Sequence, residues 1–294
     1  VLVYSAEVNE QPAFSYFQRL NKEGNSKVAL KVRSETYLAA DFETGIILSQ
    51  KDKESVRPIA SLTKLMTALV ATESIGRAQE LVVSKRAHLT PSASGGLIEG
   101  EVFRADELLY PLLLESSNAA ASVLEEYIGM ERFRSLMNQK AEAIGLKNTT
   151  FVDASGINPE NVSTSEDIFR LLQYLYLNRR PIFDVSGMRE KTLGPHSWEN
   201  INWPRGDNRF VAGKAGQTLM ASDTLAGVFK VQFSEYGDRE IGIVILGSSD
   251  RNADVNQLIS FLESNFVYGN VPVTTLKKTP VFELGASIYR AIGR

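Results

Sequence analysis

The spacing of apolar residues changes several times along this chain, and each change marks an element. Residues 1–30 are polar and irregular and read as an N-terminal extension. Thr36-Tyr-Leu-Ala-Ala40 and Gly45-Ile-Ile-Leu-Ser49 then read as two strands joined by a turn at Glu43-Thr44-Gly45. Leu62, Leu65, Met66, Leu69 and Val70 recur at the spacing of one face of a helix. Residues 84–178 read as helices separated by loops, most clearly over 106–127 and 131–144. Past Asn208 the strand character returns: 209–216, 224–233 and 240–247 are glycine-punctuated and rich in β-branched and aromatic residues, and 255–266 closes with a helical pattern. Strands, helices, strands and a helix in that order predict an α+β fold. An antiparallel sheet is built from both ends of the chain, and a helical lobe of about residues 84–185 is inserted between them. The main domain is expected over 31–268, with 269–294 as a C-terminal tail. In that tail Leu284, Ile288 and Ile292 keep helical spacing beside Arg290 and Arg294. A terminal helix packed on its own domain is the commoner meaning of such a stretch; peripheral membrane association through a short interfacial helix is the alternative.

Composition narrows the function classes. With 294 residues, 43% of them hydrophobic, the chain can bury a sizeable core. Its formal charge of -3 comes from scattered lysines, arginines and acids, so no basic stripe points to nucleic acid. Cysteine is absent, which excludes disulfides and thiolate chemistry and permits an oxidising compartment. His88 and His196 are the only histidines and neither belongs to a metal-ligand pattern, so a structural or catalytic zinc is not expected. No apolar run approaches the roughly 18 residues of a membrane span. The start at Val1, without methionine or a basic leader, is expected of a processed or trimmed form.

The candidate chemistry lies in three short motifs. Ser61-Leu-Thr-Lys64 puts a serine and a lysine one turn apart on a helix face, about 5–6 Å between Cβ atoms. A serine hydroxyl needs a group to take its proton, and apolar neighbours such as Leu62, Leu65 and Met66 favour a desolvated, neutral lysine. Pro58 and Ala60 place Ser61 at the helix start, where backbone N–H groups can hold a developing oxyanion. On this motif alone the bland reading, a helix cap and a solvated lysine, is the commoner. Ser116-Ser-Asn118 and Lys214-Ala-Gly216 follow in order, and that ordered set points to serine acyl transfer.

Taken together, the chain resembles the serine D-alanyl-D-alanine peptidases, the low-molecular-mass penicillin-binding proteins, from about Thr36 to Leu246. Residues 60–70 are close to the family's first motif and 112–121 resemble its second. Met137-Asn138 with Ala141, Gly145-Leu146, Thr149 to Phe151, Gly156, Ser163-Thr164 with Asp167, and Asn200-Ile-Asn202 match further landmarks. The resemblance implies a β-lactamase/transpeptidase-like fold, an antiparallel sheet of about five strands flanked by helices plus an α-helical lobe. Ser61 would be the acylated nucleophile, Lys64 its base, Ser116 a proton relay and Asn118 a holder of the lysine and of the substrate amide. Lys214 would face the substrate carboxylate, with Ala215, Gly216, Gln217 and Thr218 along the substrate strand and the N–H groups of Ser61 and Gln217 as oxyanion hole. The implied partners are peptidoglycan stem peptides and, as covalent inhibitors, β-lactams, outside the cytoplasmic membrane in the periplasm or at the cell surface, and the resemblance implies no metal or organic cofactor.

Three positions depart from the family pattern. Ser117 stands where glycine or aspartate is usual, and Ser222-Asp223 where a glycine and a variable residue are common. Ala215 replaces a threonine or serine whose hydroxyl binds the terminal carboxylate. A hydrogen bond to a charged group is worth roughly 1.5–3 kcal/mol, so its loss predicts capture weakened by about one to two orders of magnitude. Gln217 or Thr218 could supply a replacement donor, or an internal cross-link could be handled better than a free carboxylate. A non-catalytic peptidoglycan-binding relative is the alternative that Ala215 favours. A β-lactamase fits less well, because Ser165-Glu-Asp-Ile168 does not resemble the loop that supplies a deacylating carboxylate.

Overall fold

Alternation along the strands sends successive side chains to two different cores. Leu38 and Ala40 join Val244 and Leu246 on one side of a sheet, whereas Tyr37 and Ala39 join Ile241, Ile243 and Ile245 on the other. The computed structural model describes residues 15–19, 26, 28–92, 95–233, 237–269 and 277–278. Its central sheet is antiparallel and comprises β1 (Thr36–Asp41), β2 (Ile47–Lys51), β3 (Phe210–Thr218), β4 (Ser222–Gln232) and β5 (Asp238–Ser248), in the order β3-β4-β5-β1-β2. Both ends of the chain therefore meet where β5 pairs with β1, Val244 opposite Leu38. The fold is α+β.

Helices cover both faces, which is why the strands read as near-continuous apolar runs. On the first face α6 (Ser165–Asn178) and α7 (Arg180–Gly187) lie against the sheet, and α1 (Thr63–Ser74), the short α2 (Lys85–His88), α3 (Leu109–Leu114), α4 (Asn118–Ile128) and α5 (Met130–Ala143) complete the same core. The second is covered by α8 (Arg251–Asn265), whose Val255, Leu258, Ile259 and Leu262 are fully buried. Burying each such side chain contributes about 1.5–3 kcal/mol. Asp250 caps α8 by accepting from Ala253 N at 3.0 Å.

Three differences from the sequence expectation have physical causes. The helix expected over 106–127 is two helices, because Ser116 adopts a left-handed φ of +62° and Ser117 caps α4 by accepting from Ala120 N at 3.0 Å. Two hairpins, Glu80–Val82 with Val102–Arg104 and Glu190–Leu193 with His196–Glu199, are too short and outward-facing to show a period. Within the expected N-terminal extension, Ser15–Gln18 is a strand paired with Phe266–Gly269, and Tyr16 and Phe17 are buried. Its four residues, Ser15-Tyr-Phe-Gln18, hold two adjacent apolar positions between two polar ones, so the strand has too little alternation to announce itself. The helical pattern at Leu284, Ile288 and Ile292 lies outside the described residues. Among the described residues no helix is long and apolar enough to cross a membrane.

Candidate active site

The chain enters α1 through a tight 3-10 turn, Ala60–Leu62, preceded by residues 57–58 paired with 162–163. Ala60 is left-handed (φ +49°), a conformation that costs a non-glycine residue energy and here presents Ser61 at the turn. Thr63 Oγ1 donates to Ala60 O at 2.8 Å and holds it there. One turn on, Lys64 has no exposed surface. Its Nζ lies 2.9 Å from Ser61 Oγ, 2.7 Å from Asn118 Oδ1 and 2.6 Å from Ser155 O. Burial pushes the Lys64 ammonium down to about 7, against the smaller opposing pull of the Asp153 carboxylate.

Hydrogen-bond bookkeeping fixes what a neutral Lys64 does. The Asn118 Nδ2 group donates to Pro91 O (3.0 Å) and Ser92 O (3.1 Å), so Oδ1 must be the atom facing Lys64. Asn118 Oδ1 and Ser155 O can only accept. A neutral amine therefore spends its two N–H groups on them and directs its lone pair at Ser61 Oγ, the geometry of a proton acceptor. The Ser155 carbonyl is aimed by Asp153, which accepts from Ser155 N (2.7 Å), Gly156 N (2.6 Å) and Asn158 N (2.9 Å). Gly156 is essential to that loop: at φ +82°, an added Cβ would lie 2.0 Å from Ala60 O. Ser116, partly buried, sits at the elbow between α3 and α4, next to Ser117 and Asn118.

The third motif is on β3, the edge strand nearest Ser61. Gly216 permits the approach, since a Cβ there would be 2.7 Å from Ser61 N and 3.0 Å from Ala60 Cβ. Lys214 has no exposed surface; its Nζ donates to Asn202 Oδ1 and to Ala215 O, both at 2.7 Å. Burial, then the Lys64 and Arg251 charges, push the Lys214 ammonium well below its ordinary value. Ala215 is buried on the α8 face, Gln217 is exposed, and Thr218 Oγ1 accepts from Ala221 N at 3.0 Å to close the hairpin. Asn202 also accepts from Ala215 N (2.9 Å) and donates to Leu113 O (2.7 Å), so it joins the strand to the helical lobe.

The structure thus brings Ser61, Lys64 and Asn118 into one hydrogen-bonded cluster, with Gly216 against Ser61 and Lys214 in a second cluster around Asn202. Asn202, Asp153 and the Ser155 carbonyl are site components that sequence reasoning did not assign. Asn202 had a signal, since Asn200-Ile-Asn202 stands out as a landmark; a backbone carbonyl has none. A cavity of about 550 Å³ opens beside the Lys64 cluster, with Asn118, Ser155, Glu125, Asp153 and Arg86 in its wall.

A serine within hydrogen-bonding distance of a buried lysine, beside an antiparallel sheet, is the arrangement that serine acyl transfer requires. Residues 22–247 match the D-alanyl-D-alanine carboxypeptidase family, peptidase S11. The chain belongs to that family of serine peptidases. It is 32% identical to a D-alanyl-D-alanine endopeptidase of Escherichia coli over 87% of this chain and 86% of the relative. A D-alanyl-D-alanine endopeptidase of Pseudomonas aeruginosa is 36% identical over 48% of this chain, a match spanning about half of the relative's length (47%). A solved D-alanyl-D-alanine carboxypeptidase from Mycobacterium tuberculosis shares the fold with a TM-score of 0.70 at 22% identity, over 80% of this chain and 92% of that one.

Proposed function

We propose that Ser61 is the nucleophile of a DD-peptidase that cuts D-Ala-D-Ala, or the D-Ala bond of a cross-link, in peptidoglycan peptides outside the cytoplasmic membrane. The observation that carries this reading is the Lys64 Nζ to Ser61 Oγ contact of 2.9 Å at a fully buried amine. Lys64 takes the Ser61 proton as Oγ attacks the penultimate D-Ala carbonyl. The negative oxygen that forms is held by the backbone N–H groups of Ser61 and Gln217. Ser116 passes the proton to the leaving amine, the C–N bond breaks, and water later hydrolyses the acyl-Ser61 ester. Asn118 holds Lys64 in register. β3 offers the substrate an edge to lie along, with Gly216 leaving the room, and the cavity beside Asn118 accommodates more of the stem peptide.

β-Lactams would acylate the same serine. Slow release of that adduct is favoured by the state of Glu166, the carboxylate in the first turn of α6. Burial opposes its charge, but Lys53 and Arg170 both pair with it and hold its carboxyl below the usual range, leaving it engaged in structure.

The pH dependence of acylation tests the role of Lys64. Its free-base form is the acceptor, and protonation below about 7 removes it. The second-order rate constant for acylation by penicillin should therefore fall about tenfold per pH unit below that value and level off above it. A flat profile between pH 5 and 9 would exclude Lys64 as the titrating base.

A further inference from the structure

The corner of the site beyond Gly216 is built around a pair of charges. Arg251 opens α8, and its Nη1 donates to Gly216 O at 3.4 Å and to Asp223 Oδ1 at 3.3 Å. The Arg251 backbone N–H lies 3.4 Å from Asp223 Oδ2. The two side chains are only 21% and 16% exposed, so water screens them weakly. The Arg251 Nε is also buried and has no partner among the described residues, so it is closed to an incoming group. Asp223 is the register partner of Gln217 across the β3–β4 hairpin, one position from Gly216 on the substrate strand. Ser222, left-handed at φ +53°, sets Asp223 at the start of β4.

The other cation of this corner offers no spare charge at the surface. Lys214 is fully buried and already donates to Asn202 and Ala215 O. Ala215 supplies no hydroxyl. A free C-terminal carboxylate arriving beside Gly216 would therefore meet a guanidinium already neutralised by an internal carboxylate, and would be repelled by that carboxylate. An internal amide, as in a cross-link, brings no charge and meets no such penalty.

We infer that Asp223 is an internal counter-ion to Arg251 that selects against substrates ending in a free carboxylate, making cross-linked peptides the preferred substrate class. The inference rests on the proposed peptidase reading and adds to it the residue that sets specificity. Asp223 acts through Arg251 and is a positioning residue, not a catalytic one.

The test uses two synthetic peptides that end in D-Ala-D-Ala and differ only in a terminal carboxylate or carboxamide. Binding is measured by calorimetry and turnover by product release, for the wild type, Asp223→Asn and Arg251→Gln. The wild type should bind the carboxamide more tightly than the acid. In Asp223→Asn the acid should gain about tenfold in affinity, the equivalent of one pKa unit of interaction, with the carboxamide unchanged. In Arg251→Gln the acid should weaken further while the carboxamide again holds. Equal changes for both peptides would mean that Asp223 merely shapes the start of α8 and would overturn the inference, as would no change for either. Binding needs no chemistry, so wild-type protein that binds both peptides and cleaves neither sinks the catalytic reading while the counter-ion result still stands or falls by itself.

Discussion

Replacing Lys64 with methionine is expected to slow acylation of Ser61 by about 10²–10⁴-fold, the usual contribution of a positioned base. Methionine is unbranched and fits a fully buried position better than a truncation would. The variant leaves Asn118 Oδ1 and Ser155 O without their shared donor, at roughly 1–3 kcal/mol each. Against that, it removes an amine whose burial disfavours its charge. The fold should therefore survive with a lowered melting temperature, and the remaining acylation should lose its inflection near pH 7. Rates measured by stopped reaction and intact mass decide the matter. Acylation at the wild-type rate would mean that some other group takes the proton.

A second large effect is expected at Asn202, away from the reacting atoms. Its amide bonds to Lys214 Nζ, Ala215 N, Leu113 O and Asn200 Oδ1 at 2.7–2.9 Å, and it is itself fully buried. Asn202→Ala leaves the buried Lys214 amine and two backbone groups short of partners, costing roughly 1–3 kcal/mol apiece. Thermal unfolding should move down by roughly 5–10 °C, and acylation should weaken because β3 is no longer tied to the helical lobe. Asn202→Asp keeps the shape and puts a carboxylate beside Lys214, holding it protonated to higher pH, but it turns the donor to Leu113 O and Asn200 Oδ1 into an acceptor, so it should restore only part of the melting temperature. Two variants that melt like the wild type would show that Lys214 is held by something else.

How much of this was legible from sequence depended on which atoms do the work. Ser61, Lys64, Asn118 and Lys214 carry their signal in side chains at fixed motif spacings, and the structure sets Ser61 Oγ and Asn118 Oδ1 within hydrogen-bonding distance of Lys64 Nζ. The central strands were legible because both faces bury apolar residues, as Leu38 and Tyr37 do on opposite sides. The break at Ser116 was hidden, since apolar residues run through 106–127 and only the left-handed φ ends the helix. The Ser155 carbonyl could not be read at all: every chain position has one, and the local Asp153 turn that aims it does not reveal that Lys64, 91 residues away, lies in front of it. The Arg251–Asp223 pair joins residues 28 apart in the chain across a hairpin and a helix start, and neither residue type is unusual alone.

The most direct measurement is intact mass of the purified chain and its Ser61→Ala variant after incubation with labelled penicillin. A stable adduct of one penicilloyl group on the wild type and none on the variant is the predicted result. Equal labelling of both, or none of the wild type after long incubation at high concentration, would contradict an activated Ser61.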